Sequence, residues 1–403
     1  MAQSRRDFIK KAGLGIGALT ILPREVFGKM GDSSSKFVAP SDQMTRGIIG
    51  VGGIGMSNLH FVSDERCRLV AVCDVDQNHL DNAVQKGQER FGTKLQAYHD
   101  WRDLVHDPNV DIVHIATPSH WHGLMAVEAA KTGKDIFCEK PMTRTIGEGQ
   151  KVVEAVNKYG SIFRLDTWFR FKDTFYGLGT TVEPLKKLVD SGLLGWPLTV
   201  RISGATGFAW KFYWTGRENL EPQPVPKELD YDMWLGPAPV KPYHPHRVHQ
   251  SFRGYWDYES GGLGDMGQHY IDPVQYFLGK DNDLPVKVEV DAPMQHPDAV
   301  GIWRSITYTY ADGCKIILEG EALRAPERFL ISRDLTERFT KASNVLFLMS
   351  WTSSTSFLIR SLARLTSLIV SRTARSLLLM RRTATTAARL STWVPAPSGS
   401  EGL

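Results

Sequence analysis

The sequence predicts a doubly wound parallel α/β domain over residues 44–166, followed over residues 167–322 by an α+β domain with an open, mostly antiparallel sheet. Three observations predict it. Strand and helix patterns alternate from Gly47 to Asp166, as in βαβ units on a parallel sheet. A glycine-spaced turn, Gly50-Val51-Gly52-Gly53-Ile54-Gly55, closes the first strand pattern. After about Thr167 the alternation stops, and long strand-like runs follow one another.

The elements follow in order. Gly47 to Val51 reads as a short buried strand. Gly50, Gly52 and Gly55 then stand as G-x-G-x-x-G, with Met56 to Val62 as the start of a helix. The first glycine permits a tight turn, the second lets backbone approach a pyrophosphate, and the third lets helix pack on strand. Gly53 and Ile54 complete a turn whose N–H groups face phosphates. A second strand, Arg68 to Asp74, ends in a carboxylate about 20 residues past the turn, where an acid reads ribose hydroxyls. Together these features mark a Rossmann dinucleotide-binding domain. No Arg or Lys lies among Val75, Asp76, Gln77, Asn78 and His79. A 2′-phosphate would meet Asp74 and Asp76 uncompensated, so NAD is expected over NADP.

Gln77 to Phe91 reads as a helix, and Asp111 to Ala116 as a buried strand followed by Thr117-Pro118. His120 to Thr132 is a helix ended by Gly133, and Lys134 to Cys138 a strand followed by Glu139-Lys140-Pro141. Thr145 to Tyr159 is a helix, and Ser161 to Asp166 the sixth strand. Ligands of such sheets bind at the carboxyl ends of strands, and Gly50, Asp74, Thr117, Pro118, Glu139 and Lys140 all fall there. In the second domain, Val182 to Ser191 reads as a helix. Strands are expected at Gly195 to Ser203, Val286 to Val290, Ile302 to Tyr310 and Cys314 to Leu318. Between them lie an aromatic, proline-rich excursion, Gly207 to Tyr258, and the stretch Gly261 to Asp272. If the latter is helical from Asp265, Asp265 and His269 stand one turn apart on one face.

The motifs in order then resemble the Gfo/Idh/MocA oxidoreductases, which include glucose–fructose oxidoreductase and inositol dehydrogenase. The resemblance covers roughly residues 44–320. It is carried by Gly50-Val-Gly-Gly-Ile-Gly55, Ile115-Ala-Thr-Pro-Ser-His-Trp-His122, Gly133-Lys134, Glu139-Lys-Pro141 and the Asp265-x-x-x-His269 pair. It implies a cofactor contact at His122, a catalytic role for Lys140, a cis Lys–Pro peptide, and Asp265 with His269 opposite that lysine. It also implies homo-oligomer contacts through the second sheet. The expected reaction is oxidation of a sugar, glycoside or cyclitol hydroxyl. His269 serves as general base, Asp265 orients it, and Lys140 holds the reacting oxygen. Two alternatives are NAD-dependent glycoside cleavage through a transient keto sugar, and an inactive protein that only holds NAD.

Arg170, Trp256, Asp257 and His269 are the expected substrate contacts, with Arg253 nearby. The dense aromatics around them, Trp210 to Tyr258, suit a carbohydrate face as a group. His244, His246 and His249 lack a helix frame and a carboxylate in register, so no metal site is expected. The cysteines Cys67, Cys73, Cys138 and Cys314 show no metal or disulfide spacing and read as core residues.

The flanks differ from the body. Ser4-Arg5-Arg6-Asp7-Phe8-Ile9-Lys10 before a short apolar run resembles a twin-arginine (Tat) export signal over residues 1–32, with a polar linker at 33–43. The expected location is periplasmic, with the Tat machinery as a partner. The net charge of +4 is concentrated in this leader and after Gly320, which leaves the middle acidic. Nucleic-acid binding is therefore excluded, because that function puts its basic patch on the folded body. Residues 323–403 form an atypical tail with no glycine from Ala322 to Ser398. Arg, Ser, Thr and Leu dominate it, and no strand pattern is expected there. A shifted reading frame is the expectation, with a basic amphipathic extension as its rival.

Overall fold

The computed structural model describes residues 43–59, 66–92, 94–167, 182–202 and 215–320, with the strand backbones 327–333 and 347–350. The leader, Arg170, the aromatics from Trp210 to Trp214 and most of the tail lie outside the described residues.

The first domain comprises β1 (Met44–Ile49), α1 (Gly53–Ser57), β2 (Cys67–Cys73), α2 (Gln77–Phe91), β3 (Gln96–Tyr98) and α3 (Trp101–His106). It continues with β4 (Ile112–Ile115), α4 (Ser119–Lys131), β5 (Asp135–Cys138), α5 (Ile146–Tyr159) and β6 (Phe163–Leu165). Its six strands run parallel in the order β3-β2-β1-β4-β5-β6. Strand order reverses beside β1, so the glycine turn opens at the topological switch point. Successive side chains of a strand face opposite ways. Accordingly Ile48 packs with Val72, Leu80 and Leu95, while Ile49 packs with Val113, Ile115 and Ile136 on the other face. Helix ends are locally encoded. Asp76 accepts from the N–H groups of Asn78 and His79 to start α2, and Thr145 with Glu148 forms a capping box for α5. Lys134 follows the turn that ends α4. It is buried and donates to the carbonyls of Asp107 and Val110, so this motif lysine is a structural tie.

The second domain comprises α6 (Glu183–Asp190), β7 (Leu198–Ile202), α7 (Tyr231–Leu235), two short 3₁₀ turns (Pro245–Arg247 and His249–Gly254) and α8 (Gly261–Phe277). It ends with β8 (Lys287–Asp291), β9 (Ser305–Thr309), β10 (Lys315–Glu319), β11 (Glu327–Arg333) and β12 (Phe347–Ser350). The sheet order is β12-β11-β7-β10-β9-β8. The β7–β10 pair is parallel and the others antiparallel. Val200, Ile202, Ile316 and Leu318 pack against Leu185, Tyr270, Val274 and Phe277, so α8 lies on the inner face of this sheet.

Three expectations change. The sheet runs past residue 322, because β11 and β12 add to β7 on its open side. Helix α8 begins at Gly261, four residues before Asp265, because packing outweighs the low helix propensity of its glycines. The aromatic excursion is mostly core: Tyr231, Trp234, Tyr243, Phe252, Tyr255 and Tyr258 form one buried cluster. Of that cluster only Trp234 and Phe252 also line the cleft described below. All four cysteines are buried thiols outside any disulfide. Among the described residues, no helix is long and apolar enough to cross a membrane.

Candidate active site

A cleft of about 830 Å³ opens at the switch point between the domains. From the first domain it is lined by Gly50, Gly52, Gly53, Ile54, Asp74, Asp76, His79, Thr117 and Pro118. From the second domain come Trp234, His249, Phe252 and Arg253. Gly50 holds φ +83°, and a Cβ there would strike the Ala116 carbonyl. A Cβ on Gly55 would collide with the Gly50 carbonyl, so Gly55 packs helix on strand and does not line the cleft. Asp74 reaches back to the turn: its Oδ2 accepts from Val51 N at 2.8 Å and its Oδ1 from Asp76 N at 2.9 Å. His79 Nδ1 stands 3.6 Å from Asp74 Oδ2, and the hydrogen bond to that carboxylate raises the imidazole's pKa. The residues present fit a nicotinamide dinucleotide. Open space lies over Gly53, where a Cβ would meet nothing within 4 Å, at the first turn of α1, and Asp74 lines the same cleft.

Lys140 stands two residues past the end of β5 and is followed by a cis Lys140–Pro141 peptide. Its ammonium crosses the domain boundary to α8, donating to Asp265 O at 2.8 Å and pairing with Asp265 Oδ1. Arg253 Nε stands 3.3 Å from the same carboxylate oxygen. Arg253 lines the cleft, so this pair adjoins it. Burial alone would raise the Asp265 pKa, but Lys140 and Arg253 outweigh it and hold the carboxyl below its usual range. His269 sits one turn further along α8 and is buried. Burial, and then the Lys140 charge, push its pKa down to about 4, so the imidazole is neutral at physiological pH. The expectation that Asp265 serves His269 is thus modified, since Lys140 and Arg253 hold its carboxylate.

Of the expected cofactor contacts, Gly55, His122, Glu139 and Lys140 do not line the cleft, and neither do Asp265 and His269; Arg253 is the residue that joins the Lys140–Asp265 pair to it. His122 is fully enclosed, with Nδ1 2.7 Å from Pro141 O and Nε2 2.8 Å from Thr117 O. Both ring nitrogens address backbone carbonyls, so His122 braces the loop that carries Lys140. Glu139 faces the first domain's interior, where its Oε1 accepts from Asn58 Nδ2. Burial raises its pKa and that of Asp166, which reaches about 7 with Glu139 beside it. Behind Glu139, Arg46 is fully buried, 2.8 Å from His114 Nδ1 and bonded to the carbonyls of Asn58 and Leu59.

The structure does not bring Trp256 or Asp257 to Lys140. Trp256 Nε1 donates to His296 O at 3.0 Å, and Asp257 lies 3.5 Å from Lys241 Nζ. These side chains tie the 255–258 segment to its own domain. Sequence reasoning missed Asn58 and the Arg46–His114 strut, whose apolar strand context hides their burial.

The fold and the site define a two-domain dinucleotide-binding protein with a lysine–aspartate pair beside the cofactor cleft. The chain carries both domains of the Gfo/Idh/MocA oxidoreductase family: residues 44–167 match its NAD-binding Rossmann fold and residues 178–334 its C-terminal alpha/beta domain. The second match extends past residue 322, into the stretch where the sequence suggested a changed frame. It is similar to inositol 2-dehydrogenase of Salmonella paratyphi B, 32% identical over 156 residues, 38% of this chain and 44% of that protein. It is also similar to a glycosyl hydrolase family 109 protein of Shewanella baltica, 34% identical over 172 residues, 38% of this chain and 37% of that protein. The matched stretches thus span less than half of either relative. The WlbA dehydrogenase of Bordetella pertussis superposes with TM-score 0.49 at 18% identity, over 72% of this chain and 75% of that one.

Proposed function

We propose that this chain is an NAD-dependent oxidoreductase that oxidises a hydroxyl of a sugar, glycoside or cyclitol, with the cofactor held tightly and recycled. The observation that carries the reading is the Lys140–Asp265 pair, built across the domain boundary beside a cleft that fits a dinucleotide. The bound nicotinamide supplies the hydride acceptor. The chain's own residues handle the oxygen and its proton. The Lys140 ammonium, positioned by Asp265, hydrogen-bonds the reacting oxygen and stabilises its developing negative charge. Neutral His269 takes the hydroxyl proton. Arg253 helps keep Asp265 ionised, so the lysine is held by a charged partner.

NAD is preferred over NADP because Asp74 and Asp76 line the ribose end of the cleft. The twin-arginine leader supports export to the periplasm, and free NAD is scarce outside the inner membrane, which favours a retained cofactor. The exposed valines Val286, Val288 and Val290 beside and on edge strand β8 support a homo-oligomer. The likeness to a glycosyl hydrolase family 109 protein favours a second reading, glycoside cleavage through a transient keto sugar.

The test is nicotinamide content. The purified full chain is denatured and the released NAD(H) and NADP(H) are quantified, and the native protein is then offered sugars, cyclitols and glycosides. Near-stoichiometric NAD with substrate-dependent reduction of the bound nicotinamide is expected. Free aglycone with no net NADH selects cleavage. Failure to bind either dinucleotide, retained or added, overturns the proposal.

A further inference from the structure

We propose that Asp76, His79 and His249 form a site for a divalent transition-metal ion, with zinc as the probe, that ties the two domains together at the Asp74 end of the cleft. The donor atoms of these three residues lie within 4.8 Å of one another. In sequence His249 belongs with His244 and His246, but the fold separates them. His244 Nδ1 accepts from the backbone N–H of His246, and His246 Nδ1 stands 2.7 Å from the Tyr255 hydroxyl. His249 turns the other way. Its backbone takes φ +54°, a left-handed conformation rare for a residue with a β-carbon. This turn brings its Nε2 to 3.5 Å from Asp76 Oδ2 and its ring to 4.9 Å from that of His79.

The first-domain half of the site is braced across the boundary. Asp76 forms an isolated β-bridge with Leu229, Gln77 N donates to Glu228 O at 2.8 Å, and Asp230 N donates to Val75 O at 2.9 Å. Asp76 divides its oxygens: Oδ1 caps α2, and Oδ2 faces His249. Asp74 Oδ2, 3.6 Å from His79 Nδ1, supplies a second carboxylate that orients that ring.

Two imidazoles and a carboxylate form a borderline ligand set that suits zinc and its neighbours better than magnesium or calcium. Metal–ligand bonds of about 2.0–2.2 Å require the donors to close by roughly an ångström. The side chains of His79 and His249 are 34% and 43% exposed and have room to do so. Two ligands come from the start of α2, Asp76 at its N-cap and His79 in its first turn, and the third from the 3₁₀ turn of the other domain. An ion here therefore adds a second polar link between domains already joined by the Lys140–Asp265 pair, hydrogen bonds and packing.

The inference does not rest on the proposed oxidoreductase activity. The full chain, stripped with chelator and freed of nucleotide, is titrated with zinc by calorimetry and with cobalt by visible absorption. One saturable site per chain is expected, with the intense absorption of low-coordinate cobalt. His79→Gln and His249→Gln should each weaken binding by roughly tenfold or more, with His244→Gln unchanged and all three variants keeping the parent's far-ultraviolet circular dichroism. No saturable binding, or parental binding in both His79→Gln and His249→Gln, overturns the proposal. NAD content of His249→Gln is read separately, so loss of metal with retained NAD leaves the enzymatic reading intact.

Discussion

Glu139 and Lys140 are neighbours in sequence and opposites in use. Both follow β5, and alternation along an extended chain sends one inward and the other across the domain boundary. Glu139 enters a polar network sealed inside the first domain, with Asn58, Asp166, His114 and Arg46 around it. Lys140 leaves that domain and pairs with Asp265 of α8. The first network satisfies buried polar groups and braces the strand ends. The second presents a charged donor beside a cleft. One three-residue motif therefore couples a structural anchor to a chemical group, and mutations at the two positions should separate cleanly.

The largest effect is expected at Lys140. Lys140→Ala should lower kcat by about 10³-fold, the scale of losing a preorganised donor to developing oxyanion charge. Retained NAD should stay near the parent level, and chromatography of the released cofactor checks this. An equal loss of NAD would merge the two roles and break the comparison.

His269→Ala comes next, with a loss of about 10²- to 10³-fold in turnover. The pH profile sharpens the assignment. The base must be neutral, and burial with Lys140 holds His269 at about 4. The acidic limb of kcat/KM should therefore fall near pH 4, with no inflection near the ordinary histidine value. A limb near 6.5, the reference value for histidine, would assign the base elsewhere.

On the anchor side, effects should be thermodynamic. Glu139→Ala strips the acceptor from buried Asn58 and should cost about 1–3 kcal/mol, the penalty of an unsatisfied buried polar group. Denaturant titration with cofactor present checks it, and Glu139→Gln should be milder.

The smallest effect concerns Asp166. Burial and the neighbouring Glu139 raise its folded pKa to about 7, above its unfolded value. The folded state then binds the extra proton, so its stability contribution is present at low pH and is lost as pH rises through about 7. Asp166→Asn should accordingly raise Tm at pH 8, and the gain should shrink at pH 5. A pH-independent change would remove Asp166 from the network.

Much of the first domain was written locally. The G-x-G-x-x-G turn, Asp74 at the end of β2, and the caps at Asp76 and Thr145 act over a few residues, so pattern and chemistry coincide there. Helix α2 spans Gln77–Phe91, as its periodicity predicts. The Asp265–His269 spacing likewise follows from one turn of helix. Beyond that reach, sequence alone misassigned partners. It made Glu139 a cofactor contact from its place at the carboxyl end of a strand, and His122 one from the family resemblance. Only the packed strands decide that Glu139 points inward and that His122 is enclosed between the carbonyls of Pro141 and Thr117. The resemblance set Asp265 and His269 opposite Lys140, and the docked domains add Arg253 to the same carboxylate, a contact no sequence motif marked. The sequence read many of the excursion's aromatics as core without naming which, and among the described residues the fold buries Tyr231, Trp234, Tyr243, Phe252, Tyr255 and Tyr258 in one cluster, with Trp234 and Phe252 also lining the cleft. It grouped His249 with His244 and His246, while the fold sets it beside Asp76 and His79, whose separation in sequence no spacing rule spans. The sequence by itself therefore determined the two folds, the glycine turn and the one-turn spacing of Asp265 and His269, because these depend on short-range sterics and periodicity. The tertiary structure alone decided who faces whom, because strand direction, burial and domain docking are set by contacts between residues far apart in the chain.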